Sequence, residues 1–278
     1  MTAFGQRLSD VFAASGQLCV GIDPHPYLMS EWGIADTPDG LREFGLRVVE
    51  AAVGRVGILK PQVAFFERHG SAGFAALETV FAAARSGGLL VIADAKRGDV
   101  GSTVEAYGRA WLTPGSPLEA DAMTISAFQG VGSIGAPRDL ALATGKGLFV
   151  LAATSNPESA SIQTARGDAG TVTATILSGI RDWNTAEGAP LGSVGAVIGA
   201  TVDFESFGFD DASLAVIPVL APGLGHQGAS FSDLRRIYGS ATPNVVVSAS
   251  RIILSAGPSG LAAAITAQAD EVAKAVQS

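Results

Sequence analysis

Eight short runs of apolar residues recur along the chain, and each is followed by a turn and a segment with helical periodicity. The runs occupy residues 18–23, 56–60, 89–96, 122–126, 147–153, 195–200, 214–221 and 245–249. Most are apolar at nearly every position, which is typical of parallel strands that are covered on both faces. Strands of this kind that alternate with helices predict successive β-α-β units in a parallel sheet.

The number of these units favours a closed architecture. Helical patterns occur at 41–53, 71–84 and 261–276, and residues 2–14 predict an additional helix before the first strand, which could close the bottom of a barrel. Eight units match a (β/α)8 TIM barrel, which typically takes about 250 residues, and an open doubly wound sheet is the alternative. Because no linker or break in composition divides the chain, we expect one α/β domain over residues 1–278.

Composition excludes several classes of protein. The chain has 18 basic and 26 acidic residues, a formal net charge of -8, whereas nucleic-acid-binding domains are usually basic. Its one cysteine, Cys19, cannot form an internal disulfide and is expected to be buried as a small apolar residue. There is no apolar stretch of about 18 residues and no pattern of a secretion signal. We therefore expect a cytoplasmic protein that binds neither nucleic acid nor membranes.

The third run ends in a cluster of charges, within the segment Val91-Ile92-Ala93-Asp94-Ala95-Lys96-Arg97-Gly98-Asp99. Side chains alternate along a strand, so Asp94 and Lys96 share one face, and Asp99 follows beyond a glycine turn. A surface salt bridge is the simpler interpretation, but three such charges in a chain with only 16% charged residues favour a functional site. Neighbouring carboxylates favour the ammonium form of Lys96, which predicts a proton donor rather than a Schiff-base nucleophile.

Polar groups also follow other predicted strands. Asp23 ends the first, Lys60 ends the second and Ser155 follows the fifth. Each one alone could be a helix cap or a turn residue. The carboxyl ends of barrel strands meet at the face where barrel enzymes have their active sites. The three residues together therefore indicate an active site.

The last two runs predict a phosphate-binding site. The seventh leads into Ala221-Pro222-Gly223-Leu224-Gly225-His226-Gln227-Gly228-Ala229, and the eighth continues into Ser250-Arg251. A glycine-rich loop exposes backbone N–H groups to an anion, here at Gly225 and Gly228, and barrels often hold phosphate after strands seven and eight. Arg251 could donate two hydrogen bonds to the phosphate. A tight turn beside a solvent-exposed arginine is the alternative.

No metal or cofactor site is predicted. The three histidines, His25, His69 and His226, have no paired spacing, and the chain has no Cys-x-x-Cys motif. No strand of the first β-α-β unit leads into the Gly-x-Gly-x-x-Gly turn of dinucleotide-binding proteins.

These motifs together resemble the orotidine 5′-phosphate decarboxylase family. The family signature Asp-x-Lys-x-x-Asp, followed by Ile/Val-Gly/Pro-x-Thr, matches at Asp94, Lys96, Asp99 and Thr103. Similar segments occur in the same order at Gly21-Ile22-Asp23-Pro24, Leu59-Lys60-Pro61, Pro222-Gly223-x-Gly225-x-Gln227-Gly228 and Ser250-Arg251. The resemblance covers nearly the whole chain, and the longer loops resemble the longer bacterial subgroup.

The resemblance implies decarboxylation of orotidine 5′-monophosphate to uridine 5′-monophosphate and CO2 without a cofactor, the last step of UMP synthesis. Lys96 would protonate C6 of the pyrimidine, and Asp94 would lie against the substrate carboxylate. Asp23 and Lys60 would hold the ribose hydroxyls, and Lys60 would also join the charged array.

The resemblance further implies a homodimer, in which Asp99 and Thr103 of one subunit complete the site of the other. Ser155 would contact the edge of the pyrimidine, and Gln227 and Arg251 would hold the phosphate.

Two alternatives stay open. Sugar-phosphate lyases of the same superfamily resemble this chain at Asp-x-Lys-x-x-Asp, but they need magnesium, held partly by an acidic residue near the end of the second strand. Here that position is Lys60, which would repel the metal. The second alternative is a non-catalytic barrel that binds phosphorylated metabolites.

Overall fold

A computed structural model describes residues 1–225 and 228–277 of the chain. Within these residues, eight parallel strands follow one another around a closed barrel, and the last pairs with the first. This confirms the predicted (β/α)8 barrel. The strands, β1 to β8, are Leu18–Ile22, Ile58–Pro61, Leu90–Arg97, Ala122–Ser126, Gly147–Ala153, Val194–Ile198, Val219–Ala221 and Val245–Ala249.

Helices surround the barrel and pack their apolar faces on it. In chain order, α1 to α12 are Phe4–Ser15, Pro26–Glu31, Pro38–Ala52, Val63–Glu67, Gly70–Ser86, Gly101–Leu112, Gly135–Thr144, Ala160–Gln163, Val172–Glu187, Leu234–Tyr238, Arg251–Leu254 and Gly257–Gln277. α3 shows why these segments are helical: Thr37 caps it by accepting from the N–H of Gly40, and Leu41, Phe44 and Val48 face the core at helical spacing. None of the helices in the described residues is long and apolar enough to cross a bilayer.

The predicted first helix, α1, closes the amino-terminal end of the barrel. Phe4 and Leu8 are fully buried among inward-facing strand residues, and the Phe4 ring lies edge-on to Phe149 with centroids 6.0 Å apart. Cys19 lies in the same cluster, as expected, and burial raises the pKa of its thiol to about 12. The barrel interior around Phe4 and Leu8 is therefore apolar, whereas an ion pair between Arg7 and Asp121 also lies at this end.

The seventh strand is shorter than its apolar run predicts. Of residues 214–221, only Val219–Ala221 is strand, because the run begins at the end of the short 3-10 helix Ala212–Leu214. The N–H of Ile217 donates to the carbonyl of Leu214 at 3.0 Å, and both side chains are fully buried. The prediction of strand at 214–218 is wrong because a buried turn and a buried strand produce the same apolar run.

Candidate active site

A cavity of about 640 Å³ opens at the carboxyl end of the barrel strands. Volumes of this size suit a small-molecule ligand. Five of the residues that were predicted from the sequence line it together: Asp23, Lys60, Asp94, Lys96 and Arg251. The barrel brings them to one face because they lie at the carboxyl ends of four parallel strands, with Asp94 and Lys96 both on β3.

Asp94 lies at the centre of this site. Its Oδ1 accepts hydrogen bonds from Lys96 Nζ at 2.6 Å and Thr124 Oγ1 at 2.9 Å. Its Oδ2 accepts from Lys60 Nζ at 3.0 Å and Gln62 Nε2 at 2.9 Å. The Asp94 carboxylate is only 8% exposed, and these four donors occupy its hydrogen-bond acceptor positions.

Neighbouring charges hold both Asp94 and Lys60 in the ionised state. Burial alone would raise the pKa of Asp94, but the ammonium groups of Lys60 and Lys96 outweigh it and hold that pKa well below its usual range. Burial alone would lower the pKa of Lys60, but the carboxylates of Asp94 and then Asp23 outweigh it and hold that pKa above its usual range. The electrostatic field inside the cavity is therefore already in place before a ligand binds.

Lys96 has an unusual backbone. Its φ is +46°, and it is the only non-glycine residue in the described chain with a positive φ. Its side chain is 46% exposed and extends into the cavity from the end of β3, where it meets Asp94 as the strand alternation predicts. Left-handed backbone at a residue with a side chain costs about 1–3 kcal/mol and tends to occur at functional sites.

Asp23 follows β1 and offers an unused acceptor. Its Oδ2 accepts from the Ser250 hydroxyl at 2.6 Å, whereas its Oδ1 is buried and has no hydrogen-bond partner among the described residues. Gly21 permits this close approach, because a Cβ there would lie 2.6 Å from the Cβ of Ser250. A ligand hydroxyl would satisfy the free oxygen.

Arg251 begins α11 directly after β8 and lines the cavity, with no ion-pair partner among the described residues. The predicted glycine loop turns through left-handed backbone at Gly223, Gly225 and Gly228, with φ of +95°, +81° and +109°. The Gly225 N–H donates to the Ala229 carbonyl at 2.7 Å, so this predicted anion donor is engaged within the loop.

One sequence-predicted residue, Gln227, lies outside the described residues, as does His226. Three others are described and do not line the cavity of their own chain. Asp99 accepts a hydrogen bond from the N–H of Val100 at 2.8 Å, and Thr103 is exposed on α6. Neither lines the cavity of its own chain. Ser155 is exposed, and its neighbour Thr154 lines the cavity instead.

The structure adds cavity residues that the sequence reasoning missed. Gln62 is two residues beyond Lys60, so strand alternation could have identified it. Thr124 is a polar residue inside the apolar fourth run, which was the available signal. His25 packs edge-on against Phe65 with ring centroids 4.4 Å apart. Burial lowers the pKa of His25, an effect that nearby Asp23 opposes.

No group of three or more His, Cys, Asp or Glu side chains in the described part of the chain is arranged to hold a metal ion.

The low pKa of Asp94 predicts a dependence of stability on pH. An unfolded aspartate has a pKa of about 3.9, so the lower folded-state pKa contributes stability above that pH, and this is lost as the pH falls through the folded-state value. We expect Asp94→Asn to lower the free energy of unfolding at pH 7 by about 3 kcal/mol, since it removes the carboxylate that lies 3.0 Å from the buried Lys60 ammonium. The difference from wild type should shrink below about pH 4.

Urea denaturation of both proteins at a series of pH values measures this difference. Asp270→Asn, at an exposed position of α12, is the control and should change stability by less than about 0.5 kcal/mol. A difference between wild type and Asp94→Asn that stays constant from pH 7 to pH 3 contradicts the prediction.

Comparisons with known proteins agree with the resemblance. The profile of the orotidine 5′-phosphate decarboxylase / HUMPS family matches residues 16–265. An orotidine 5′-phosphate decarboxylase from Salinispora arenicola is 50% identical over 275 residues, which cover 98% of this chain and 96% of the relative.

Solved structures are similar over the same length. The crystal structure of a proposed orotidine 5′-phosphate decarboxylase from Streptomyces avermitilis has a TM-score of 0.94 at 46% identity and covers 100% of this chain and 97% of its own. An orotidine 5′-monophosphate decarboxylase from Methanocaldococcus jannaschii, solved with the inhibitor BMP, has a TM-score of 0.64 at 18% identity. The alignment covers 92% of this chain and 98% of the Methanocaldococcus jannaschii chain, and the two share the fold.

Proposed function

The chain belongs to the orotidine 5′-phosphate decarboxylase / HUMPS family, and from this premise we propose how its residues decarboxylate orotidine 5′-monophosphate. The reaction yields uridine 5′-monophosphate and CO2, and it belongs to pyrimidine biosynthesis; relatives about 50% identical over nearly the whole chain support it. The enzyme is a carbon-carbon lyase. The observation that carries the proposed mechanism is the buried array of Lys60, Asp94 and Lys96.

The contact between Lys60 and Asp94 favours this reaction over a magnesium-dependent lyase. Those lyases resemble one another in having an acidic metal ligand near the end of β2. In this chain the buried ammonium of Lys60 occupies that position. Asp94 already has ammonium groups at 3.0 Å and 2.6 Å, so a divalent cation would meet two positive charges there. A non-catalytic barrel does not require a proton donor. The strained backbone of Lys96 is typical of functional sites, which favours a catalytic role.

Lys96 is the proposed proton donor. When the bond between C6 and the carboxyl carbon breaks, CO2 leaves and an electron pair stays on C6. The Lys96 ammonium stabilises this developing charge, and its proton then forms the new C6–H bond. The amine left behind recovers a proton from solvent, which its 46% exposure permits.

Asp94 acts as a fixed negative charge. Its two oxygens accept four hydrogen bonds and its pKa is held low, so it stays ionised and does not take up the reacting proton. Placed beside the substrate carboxylate, it favours the state in which that carboxylate has left as CO2 over the bound substrate.

The remaining roles concern substrate binding. The free Oδ1 of Asp23 accepts a ribose hydroxyl, with Lys60 adjacent, and Arg251 donates to the phosphate. Gln227 and the Gly228 backbone complete the phosphate site, without Gly225, whose N–H is engaged within the loop. Binding energy from the phosphate, remote from C6, contributes to stabilising the transition state.

The chain acts as a homodimer in this proposal, with Asp99 and Thr103 supplied to the partner's site. Support comes from their placement: both follow the catalytic strand β3, yet neither lines the cavity of its own chain. Val100, an apolar residue between them in sequence, is 51% exposed. The chain is further proposed to be a single-domain, cytoplasmic enzyme that uses neither cofactor nor metal.

The loss of orotidine 5′-monophosphate absorbance tests the reaction directly. Purified protein should decarboxylate the nucleotide at the same rate with and without a chelator such as EDTA. Activity that is lost with chelator and restored by magnesium would support the sugar-phosphate type of chemistry. Tight binding of uridine 5′-monophosphate without turnover would instead identify a binding protein.

A further inference from the structure

Thr124 is a buried polar residue of β4 and one of the four hydrogen-bond donors to Asp94. It is 1% exposed and lines the cavity beside Asp94. We propose that Thr124 is a positioning residue, whose hydroxyl holds Asp94 and Lys96 in the geometry that the chemistry requires. The inference rests on the roles proposed for those two residues.

One hydroxyl joins both groups. Thr124 Oγ1 accepts a hydrogen bond from the backbone N–H of Lys96 at 2.9 Å and donates to Asp94 Oδ1 at 2.9 Å. The direction of each bond follows from the chemistry, because an ionised carboxylate can only accept and a backbone N–H can only donate. Thr124 therefore links the carboxylate of Asp94 to the main chain of Lys96.

The hydroxyl also replaces a missing sheet bond. β3 pairs with β4 in regular register at Ala93 and Met123, but the register shifts before the next pair, Arg97 and Ile125. Lys96 lies in this irregular stretch with its left-handed φ of +46°, and its part-buried N–H bonds to the Thr124 side chain. Without that acceptor the N–H loses its partner, and the backbone is free to relax toward extended geometry.

The other supports of Asp94 cannot substitute for Thr124. Lys60 and Gln62 both bind Oδ2, so Oδ1 is left with Lys96 alone when the Thr124 hydroxyl is removed. The groups proposed to hold ribose and phosphate, Asp23 and Arg251, follow β1 and β8, and neither is among the described hydrogen-bond partners of Thr124. Loss of the hydroxyl should therefore impair the chemical step more than substrate binding.

Thr124→Val, which keeps the branched shape without the hydroxyl, tests this with Thr124→Ser as the matched control that keeps it. We expect kcat for orotidine 5′-monophosphate to fall about 100-fold in Thr124→Val, the effect of about 1 Å of misplacement, with KM changed by less than about threefold. Thr124→Ser should stay within about fivefold of wild type. A crystal structure of Thr124→Val should show Lys96 shifted away from its left-handed backbone.

A Thr124→Val protein with wild-type kcat, or with Lys96 unmoved, overturns the inference. So does a Thr124→Ser protein that is as impaired as Thr124→Val. If the valine variant does not fold, Thr124→Ala provides the same comparison with serine. Failure of wild type to decarboxylate would count against the proposed function, whereas the position of Lys96 in the variant crystal still tests the role of Thr124.

Discussion

Replacing Lys96 by alanine should reduce decarboxylation by at least about 10⁴-fold. The substitution removes a proton donor, worth about 10²–10⁴-fold, together with a positive charge that faces the developing carbanion, worth about 10²–10³-fold. The barrel should remain folded, because the side chain is 46% exposed and Asp94 keeps its bonds to Lys60, Gln62 and Thr124. Turnover is followed by the absorbance of orotidine 5′-monophosphate, and folding by circular dichroism.

Lys274→Ala is the matched control for Lys96→Ala. Lys274 is exposed near the end of α12, outside the cavity, so its removal should leave turnover unchanged. A Lys96→Ala protein that is folded and keeps more than about 1% of wild-type turnover would reject Lys96 as the donor.

Mixing two inactive variants, Asp99→Ala and Lys96→Ala, should restore about a quarter of wild-type activity. Random exchange of subunits in an equal mixture makes half of the dimers hybrid. If Asp99 acts in the partner's cavity, each hybrid has one site with both residues intact and one with neither. Half of the dimers with one working site in two gives about one quarter of the sites.

The structure provides a control that should stay inactive. Asp94 and Lys96 meet within one chain at 2.6 Å, so a mixture of Asp94→Ala and Lys96→Ala contains no site with both residues intact. If the Asp99→Ala mixture also stays inactive once subunit exchange has been verified, Asp99 does not act across an interface.

Much of the architecture could be predicted because it depends on local pattern. Continuous apolar runs indicated the buried parallel strands, and closure of eight of them brought Asp23, Lys60 and Arg251 to one face. Alternation along a single strand was enough to place Asp94 beside Lys96. None of these features depends on how one strand is shifted against the next.

The details that could not be predicted depend on register and loop geometry. Thr124 reaches Lys96 only because the pairing of β3 with β4 shifts near the end of the strand, which no local pattern reveals. After β5, the turn directs Thr154 rather than Ser155 toward the cavity, and the Gln163 side chain fixes Thr154 by accepting from its N–H at 2.9 Å. Such contacts join residues that are distant in sequence or lie within irregular loops.

The central claim is that Lys96 transfers the proton at C6, and hydrogen exchange into the product tests it apart from decarboxylation. By microscopic reversibility, the group that donates this proton also removes it. In D2O, wild-type enzyme should catalyse exchange of the C6 hydrogen of uridine 5′-monophosphate for deuterium, as followed by proton NMR. Lys96→Ala should still bind the nucleotide through Asp23 and Arg251 but show no enzyme-dependent exchange. Exchange at the wild-type rate in Lys96→Ala would contradict the account.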